Sequence, residues 1–454
     1  MKITDYRIVI SSDPTFNERR AASFIRENIK LVCGKKLLIV SDTVEPTPLE
    51  IVVGKTSRED LDGVSFERYA DGTWEFVLKK CGARLYLSGL GIEPDEPPFT
   101  SAYNPLNDGS AGTALAAYHF VEKILGYDFI YSPYEDFPES PELEMPEEYN
   151  YKFTREALRQ EMPKIIDAAA IYSLNCTGRI EWNIGSFIIK TKEGKLIVID
   201  GGRGDELPRL IESLKTISGE DVPTVTAWIF SHLHDDHYGA YVRLTEDEWH
   251  GKINVIDVYC NFISRAHWEA KAFGSNACLP GAYDAIMGSD KTLGAKIHVV
   301  DKGDRVTVDE IKFDVIHVPD PSRASDMNVN DTTTVYKMTY DNTQTVMFLG
   351  DAEWVCNEDL VENCADLLKS DVVQVGHHGC GNVSKRCYEL IDAKVYIWQC
   401  GMRFWYQEKG EGINTHNVGF IKYRTYMMER GIKKENIYVS TDKIDSLPLP
   451  IPIY

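Results

Sequence analysis

Apolar and polar residues alternate along some parts of this chain and recur every three to four positions in others, and this divides it into two differently built stretches. In the first, Arg7–Ser11 reads as a strand, and Asn17–Cys33 carries Ala22, Phe24, Ile25 and Ile29 at helical spacing. Strand-like runs follow at Leu37–Ser41, Glu50–Gly54, Trp74–Lys79 and Arg84–Ser88. A second helix is predicted over Gly112–Leu125, with Gly126 as its C-cap. Pro133, Pro138, Pro141 and Pro146, set among acidic residues, then rule out a regular element and mark a linker or a strap over the first domain. The pattern predicts a small α+β domain over residues 1–150 and a second domain over 151–454.

The second stretch opens with a strand–turn–strand hairpin, Ser186–Gly202. A helix is expected over Pro208–Ile217, then a strand, Thr224–Phe230, that runs into a histidine-rich loop. Further strands are predicted at Ile253–Tyr259, Lys296–Val300, Ile311–Val318, Thr332–Thr339, Thr345–Leu349, Val372–Val375 and Lys394–Gln399, with a helix at Glu358–Leu368. Strands alternating with helices predict two sheets flanked by helices, an α/β class. No internal repeat or low-complexity tract interrupts the pattern.

Bulk properties narrow the function. The 454 residues are too many for one ordinary core. A net charge of −21 repels polyanions, and no Lys/Arg run offers a basic patch, so long nucleic acid is not the expected partner. The N-terminus has no apolar signal region, and no stretch approaches membrane-spanning length. The ten cysteines fall in no CxxC or other paired spacing, as expected of reduced thiols. The expectation is a cytoplasmic protein with no membrane partner.

Histidine carries the chemical signal. Of 11 in the chain, three fall in the six residues His232-Leu-His234-Asp-Asp236-His237. Residues two apart at the end of a strand point the same way, so His232 and His234 can grip one ion, with Leu233 turned into the core between them. Asp236 and His237, expected on the following turn, can face a neighbouring site. Imidazoles with carboxylates suit zinc, and also iron or manganese. Three more strand ends carry suitable groups: Asp200 before Gly201 and Gly202, Asp351 in Gly350-Asp-Ala-Glu353, and His377-His378 between Gly376 and Gly379. A carboxylate such as that of Asp351 can bridge two cations.

In this order, the motifs resemble the metallo-β-lactamase superfamily, over about Ala168 to Gly401. They are most similar to the hydrolase domain of bacterial DNA-uptake channels and to phosphodiesterases such as choline-phosphate esterases, a branch that Asn330-Asp-Thr, ahead of the strand Thr333–Thr339, also resembles. The resemblance implies an αββα sandwich and two divalent metal ions, zinc or else manganese or iron. It implies that His232 and His234 hold the first ion, that Asp236, His237 and one of His377 and His378 hold the second, and that Asp351 bridges. His378, directly before a glycine, is favoured as the ligand, leaving His377 as a supporting or substrate-phosphate contact. Asp200 resembles a residue that orients a ligand histidine. Asp235 or Asp236 can also move protons. His416, near the C-terminus, is a candidate substrate contact. The chain departs from the superfamily pattern in having no Gly-His-Thr or Gly-His-Ser between the histidine loop and Asp351. His317 is the nearest candidate for that position.

The first domain resembles the small α+β domain that precedes the catalytic barrel of β-hexosaminidases and α-glucuronidases. The resemblance rests on Glu50-Ile-Val-Val-Gly-Lys-Thr56, on Tyr86-Leu-Ser-Gly-Leu-Gly91 and on the stretch from Gly112 to Ser140. It implies a small-molecule or glycan-linked substrate. The expected activity is hydrolysis of a small or sugar-linked phosphodiester. A lactonase or other C=O hydrolase of the same fold is the alternative, favoured if the cleft proves apolar. A carbohydrate-binding protein with a degenerate metal site is a third reading.

Overall fold

The computed structural model describes the chain except for residues 69–74, 92–110, 128–138, 177–182, 267–279, 381–382, 402–404 and 406–422. Met1–Leu158 form one compact unit, and Arg159–Trp405 with the described residues up to Tyr454 form another.

The first unit is built on β1 (Arg7–Ile10), β2 (Ile39–Ser41), β3 (Glu50–Val53), β4 (Phe76–Cys81), β5 (Arg84–Gly89) and β6 (Asn150–Phe153), in the sheet order β2-β1-β3-β5-β4-β6. Helix α1 (Phe16–Cys33) begins where a capping box closes it. Thr15 Oγ1 accepts from Glu18 N, and Glu18 Oε2 accepts from Thr15 N. Helix α2 (Ala111–Lys123) packs on α1 and β5. Within the proline-rich segment, the residues from 139 onward are a strap: Ser140 N donates to Val32 O, Ile3 N to Leu143 O, and Met145 N to Met1 O. Buried Glu50 gathers Arg7, Arg58 and Arg84 at 2.5, 3.0 and 2.8 Å.

The second unit holds two seven-stranded sheets. One comprises β7 (Ala170–Ser173), β8 (Ser186–Lys190), β9 (Leu196–Asp200), β10 (Thr224–Ile229), β11 (Asn254–Cys260), β12 (Lys296–Val299) and, added at its edge, β20 (Asp445–Pro448). Its order is β12-β11-β10-β9-β8-β7-β20. The other takes β13 (Arg305–Val308), β14 (Ile311–His317), β15 (Val335–Tyr340), β16 (Gln344–Phe348), β17 (Val372–Gln374), β18 (Val395–Gln399) and β19 (Ile437–Ser440) in sequential order. Alternate residues of both sheets, including Phe187, Ile199, Ile229, Phe313, Phe348 and Ile397, meet in one apolar layer. On the other face of the first sheet, Trp228 and Val258 pack with Leu210, Leu214, Tyr241 and Ile286. Those partners come from α3 (Leu207–Ser218), α4 (Asp235–Leu244) and α5 (Pro280–Met287). Helix α6 (Trp354–Asn363) packs against β14 and against α7 (Lys385–Ile391). The result is an αββα sandwich.

Several elements differ from the sequence pattern, and two of them bear on the site. The helix expected at Glu358–Leu368 is α6, which begins and ends earlier. Its start is set by a distant residue, because Asp331 Oδ1 accepts from Val355 N at 2.7 Å and Cys356 N at 3.4 Å. The strand expected from Thr332 begins only at Val335, because Asn330–Thr332 form a 3₁₀ turn. No helix among the described residues is long and apolar enough to cross a membrane.

Candidate metal centre

β10 delivers the histidine loop. Phe230 and Leu233 are fully buried in the core and anchor the loop on both sides of His232. His232 Nε2 and His234 Nδ1 approach to 3.1 Å, so both rings face one point. Asp235 and Asp236 are not on a turn: they open α4, whose N-terminal dipole favours carboxylates. His234 O accepts from His237 N and Tyr238 N at 3.0 Å each, which fixes the direction of the helix. Gly185 sits against His237; a Cβ there would lie 2.3 Å from His237 Nδ1.

Asp351 leaves β16 through Gly350, whose φ of +51° and contacts with Ser231 and Thr333 leave little room for a side chain. Asp351 Oδ2 lies 3.2 Å from His237 Nε2, 3.3 Å from His378 Nε2, and 3.9 Å from both His232 Nε2 and His377 Nε2. His377 and His378 adopt φ of +48° and +51°, a costly conformation for residues with side chains. Trp398 Nε1 donates to His378 O at 2.7 Å, and His378 Nδ1 lies 3.2 Å from Gln399 O. These contacts direct His378 Nε2 towards Asp236 Oδ2, 3.5 Å away.

Two groups of donor atoms result, each within 4.8 Å internally: Asp236, His237, Asp351 and His378; and His232, His234 and Asp351. Asp351 belongs to both. Among the described residues, His237 Nε2, His378 Nε2 and Asp351 Oδ1 are buried without a formed hydrogen bond, the two nitrogens facing carboxylate oxygens at 3.2, 3.3 and 3.5 Å. Such orphaned groups are costly in a dry interior unless a cation takes their lone pairs. The donor set therefore fits metal ions. The electrostatics agree. Burial, together with the neighbouring His237 charge, holds His232 well below its ordinary pKa, in the neutral form that ligates. Burial alone would also lower His237 and His378, but the carboxylates outweigh it, Asp351 foremost, and raise His378 to about 9. Burial alone would raise Asp351, yet His237, His378 and His377 hold it well below the usual carboxylate range. Carboxylates that retain protons so strongly on imidazoles also attract cations.

The other expected site residues fall as follows. Asp200, at φ +61°, accepts from Ser231 N at 2.7 Å and Ser231 Oγ at 2.8 Å, and its Oδ2 lies 2.8 Å from His237 Nδ1. It thus orients His237 and stands outside both donor groups. His377 Nδ1 lies 3.0 Å from Glu353 Oε1, and His377 belongs to neither group. His317 is buried with Nδ1 2.9 Å from Thr333 O and Nε2 3.3 Å from Asp359 Oδ2, outside both groups. His416 lies outside the described residues. Sequence reasoning noted Asn330 and Glu353 only as parts of motifs and gave neither a place beside His377. Asn330 Nδ2 lies 3.2 Å from both Glu353 Oε1 and His377 Nε2. Burial alone would raise the Glu353 carboxyl, but His377, Asn328 and Asn330 lower it to about 2. Only the position of Glu353 two residues after Asp351 could have drawn attention to it.

Residues 181–379 match the family model of the metallo-beta-lactamase superfamily. Those residues therefore match a metallo-β-lactamase superfamily domain, and the αββα sandwich is consistent with that fold. No curated protein matches the chain in sequence. Among solved structures, it is similar to the metallo-β-lactamase fold protein YhfI from Bacillus subtilis at 11% identity, covering 61% of this chain and 98% of that one with a TM-score of 0.37. A diphosphatase of the PhnP family matches at 13% identity, covering 59% and 85%, with a TM-score of 0.33. A metallo-β-lactamase from Cronobacter sakazakii matches at 15% identity, covering 61% and 96%, with a TM-score of 0.33.

Proposed function

We propose that the second unit is a two-metal hydrolase acting on a small or sugar-linked phosphodiester. The observation that carries this reading is Asp351, a buried carboxylate shared by a group of two histidines and a group of Asp236, His237 and His378. His232 and His234 would hold one ion, Asp236, His237 and His378 the other, and Asp351 both. Two cations bound there would supply a water of lowered pKa and polarise the oxygen that gains charge in the transition state. The chain's own residues supply the rest. Asp200 keeps His237 in one orientation, Gln399 and Trp398 do the same for His378, and Leu233 locks the histidine loop to the core. His377, partly exposed at the edge of Asp351, would contact a substrate oxygen. That polar edge favours a phosphodiester over an apolar lactone. The sugar link rests on the resemblance of the first unit to glycoside-hydrolase accessory domains. The acidic chain favours a small substrate over long nucleic acid.

Hydrolysis of bis-p-nitrophenyl phosphate by wild type and His232→Ala tests the reading. Turnover by the wild type that is lost in the variant supports it. Metal-loaded protein that cleaves lactones and leaves this phosphodiester intact would replace the phosphodiesterase by a C=O hydrolase.

A further inference from the structure

The two donor groups are unequal: one has four protein side chains and the other three, His232, His234 and Asp351. Next to His377, which borders Asp351, stands a buried acceptor with no donor among the described residues. Asn330 Nδ2 lies 3.2 Å from Glu353 Oε1 and 3.2 Å from His377 Nε2, while Asn330 Oδ1 is buried and has no hydrogen-bond partner among the described residues. Flipping the amide would set its oxygen against the Glu353 oxygen, so the contact with Glu353 fixes which atom is left over. A carbonyl oxygen in that position calls for a donor or a cation.

The backbone brings this amide to the metal centre by three ties. Thr334 N donates to Ser231 O at 2.8 Å, joining the Asn330 turn to the residue before His232. Gly350, the residue before Asp351, packs against both Ser231 and Thr333. His377 Nε2, in contact with the Asn330 amide, is 3.9 Å from Asp351 Oδ2. The turn itself is held on both sides. Thr333 Oγ1 donates to Asn330 O at 2.7 Å, Asp331 N donates to Asn328 Oδ1 at 2.9 Å, and Asp331 Oδ1 caps α6. A side chain held this firmly is prepared for a partner. Among the described residues, no further histidine joins the smaller group, because His317 is turned towards Asp359 and Thr333.

We propose that Asn330 Oδ1 is the fourth protein donor to the ion held by His232, His234 and Asp351, with Glu353 as the residue that positions it. This rests on the two-cation reading above. Two imidazoles, a carboxylate and an amide oxygen make a harder ligand set than three imidazoles would. Oxygen ligands favour manganese, and imidazoles favour zinc. The smaller group is therefore the one whose metal preference Asn330 sets.

The test is a titration of chelator-stripped full-length protein with Mn²⁺ and with Zn²⁺ against a chromophoric competitor. Wild type, Asn330→Ala and Asn330→His are compared, with thermal melts to verify folding. The wild type should take up two ions. Asn330→Ala should leave one binding step unchanged and weaken the other on the order of 10- to 100-fold, at least the effect of losing a residue that only supports a ligand. Asn330→His should recover the Zn²⁺ step and lower the relative affinity for Mn²⁺. Two ions in the wild type with both variants titrating identically to it would overturn the assignment and leave the two-cation site standing. Equal loss of both steps in both variants would also overturn it, marking Asn330 as structural. A wild type that takes up no ion would remove the two-cation reading, and this proposal with it.

Discussion

Asp200 shows how much of the centre depends on residues outside the donor groups. It accepts from Ser231 N and Oγ and holds His237 Nδ1, all within 2.8 Å. Its φ of +61° is tolerated by Asn far better than by Ala. Asp200→Asn should therefore keep the backbone while loosening His237. We expect metal affinity or activity to fall about 10–100-fold, with far-UV circular dichroism unchanged. Unchanged metal affinity would show that His237 does not need this partner. Gly185→Ala tests the same ring from the other side. Its Cβ, 2.3 Å from His237 Nδ1, must displace the imidazole, so metal titration should show the loss confined to the Asp236, His237 and His378 group.

At the scale of elements, strand ends and the turns after them build the centre. Gly379 has a φ of +85° and lies where a Cβ would be 2.4 Å from Trp398 Nε1, the atom that holds His378 O. Gly379→Ala should destabilise the second unit by about 1–3 kcal/mol, the usual cost of overpacking, read by urea unfolding. It should also weaken metal binding, since His378 moves with its carbonyl. This part of the fold was only half legible in the sequence. The strand Thr224–Phe230 and the spacing of His232 and His234 could be read directly, because a period of two settles which side chains share a face. The left-handed backbone at His377 and His378 could be suspected only from the flanking glycines. The start of α6 could not be read at all, because its cap, Asp331, lies 24 residues upstream of Val355. Asn330 and Glu353 became site neighbours for the same reason: long-range packing, with no local pattern, brings them to His377. Short strands such as β13 and β20 carried too few residues to show a period.

At the scale of the whole molecule, the two units differ in what holds their charges. In the first, burial alone would raise the pKa of Glu50, but Arg7, the Thr47 N–H, Arg58 and Arg84 outweigh it, and the result lies below the ordinary value of 4.5. The folded-state value is thus depressed, so this carboxylate contributes stability that is present in full above pH 4.5 and is lost as the pH falls through the folded value. Amide hydrogen exchange on β1 and β3 should show that loss setting in below pH 4.5. Glu50→Gln should lower the stability of the first unit at pH 7 by about 3–5 kcal/mol, because three guanidinium groups lose the carboxylate buried among them. An unchanged acid profile in this variant would assign the acid sensitivity to other carboxylates. In the second unit, the corresponding buried charges converge on Asp351, and there cations, in place of arginines, are expected to balance them. The count of metal ions per chain in protein purified without chelator tests this most directly. Two ions per wild-type chain, falling in Asp351→Asn, is the predicted result; a metal-free wild type that stays folded and takes up none when offered Mn²⁺ or Zn²⁺ would contradict it.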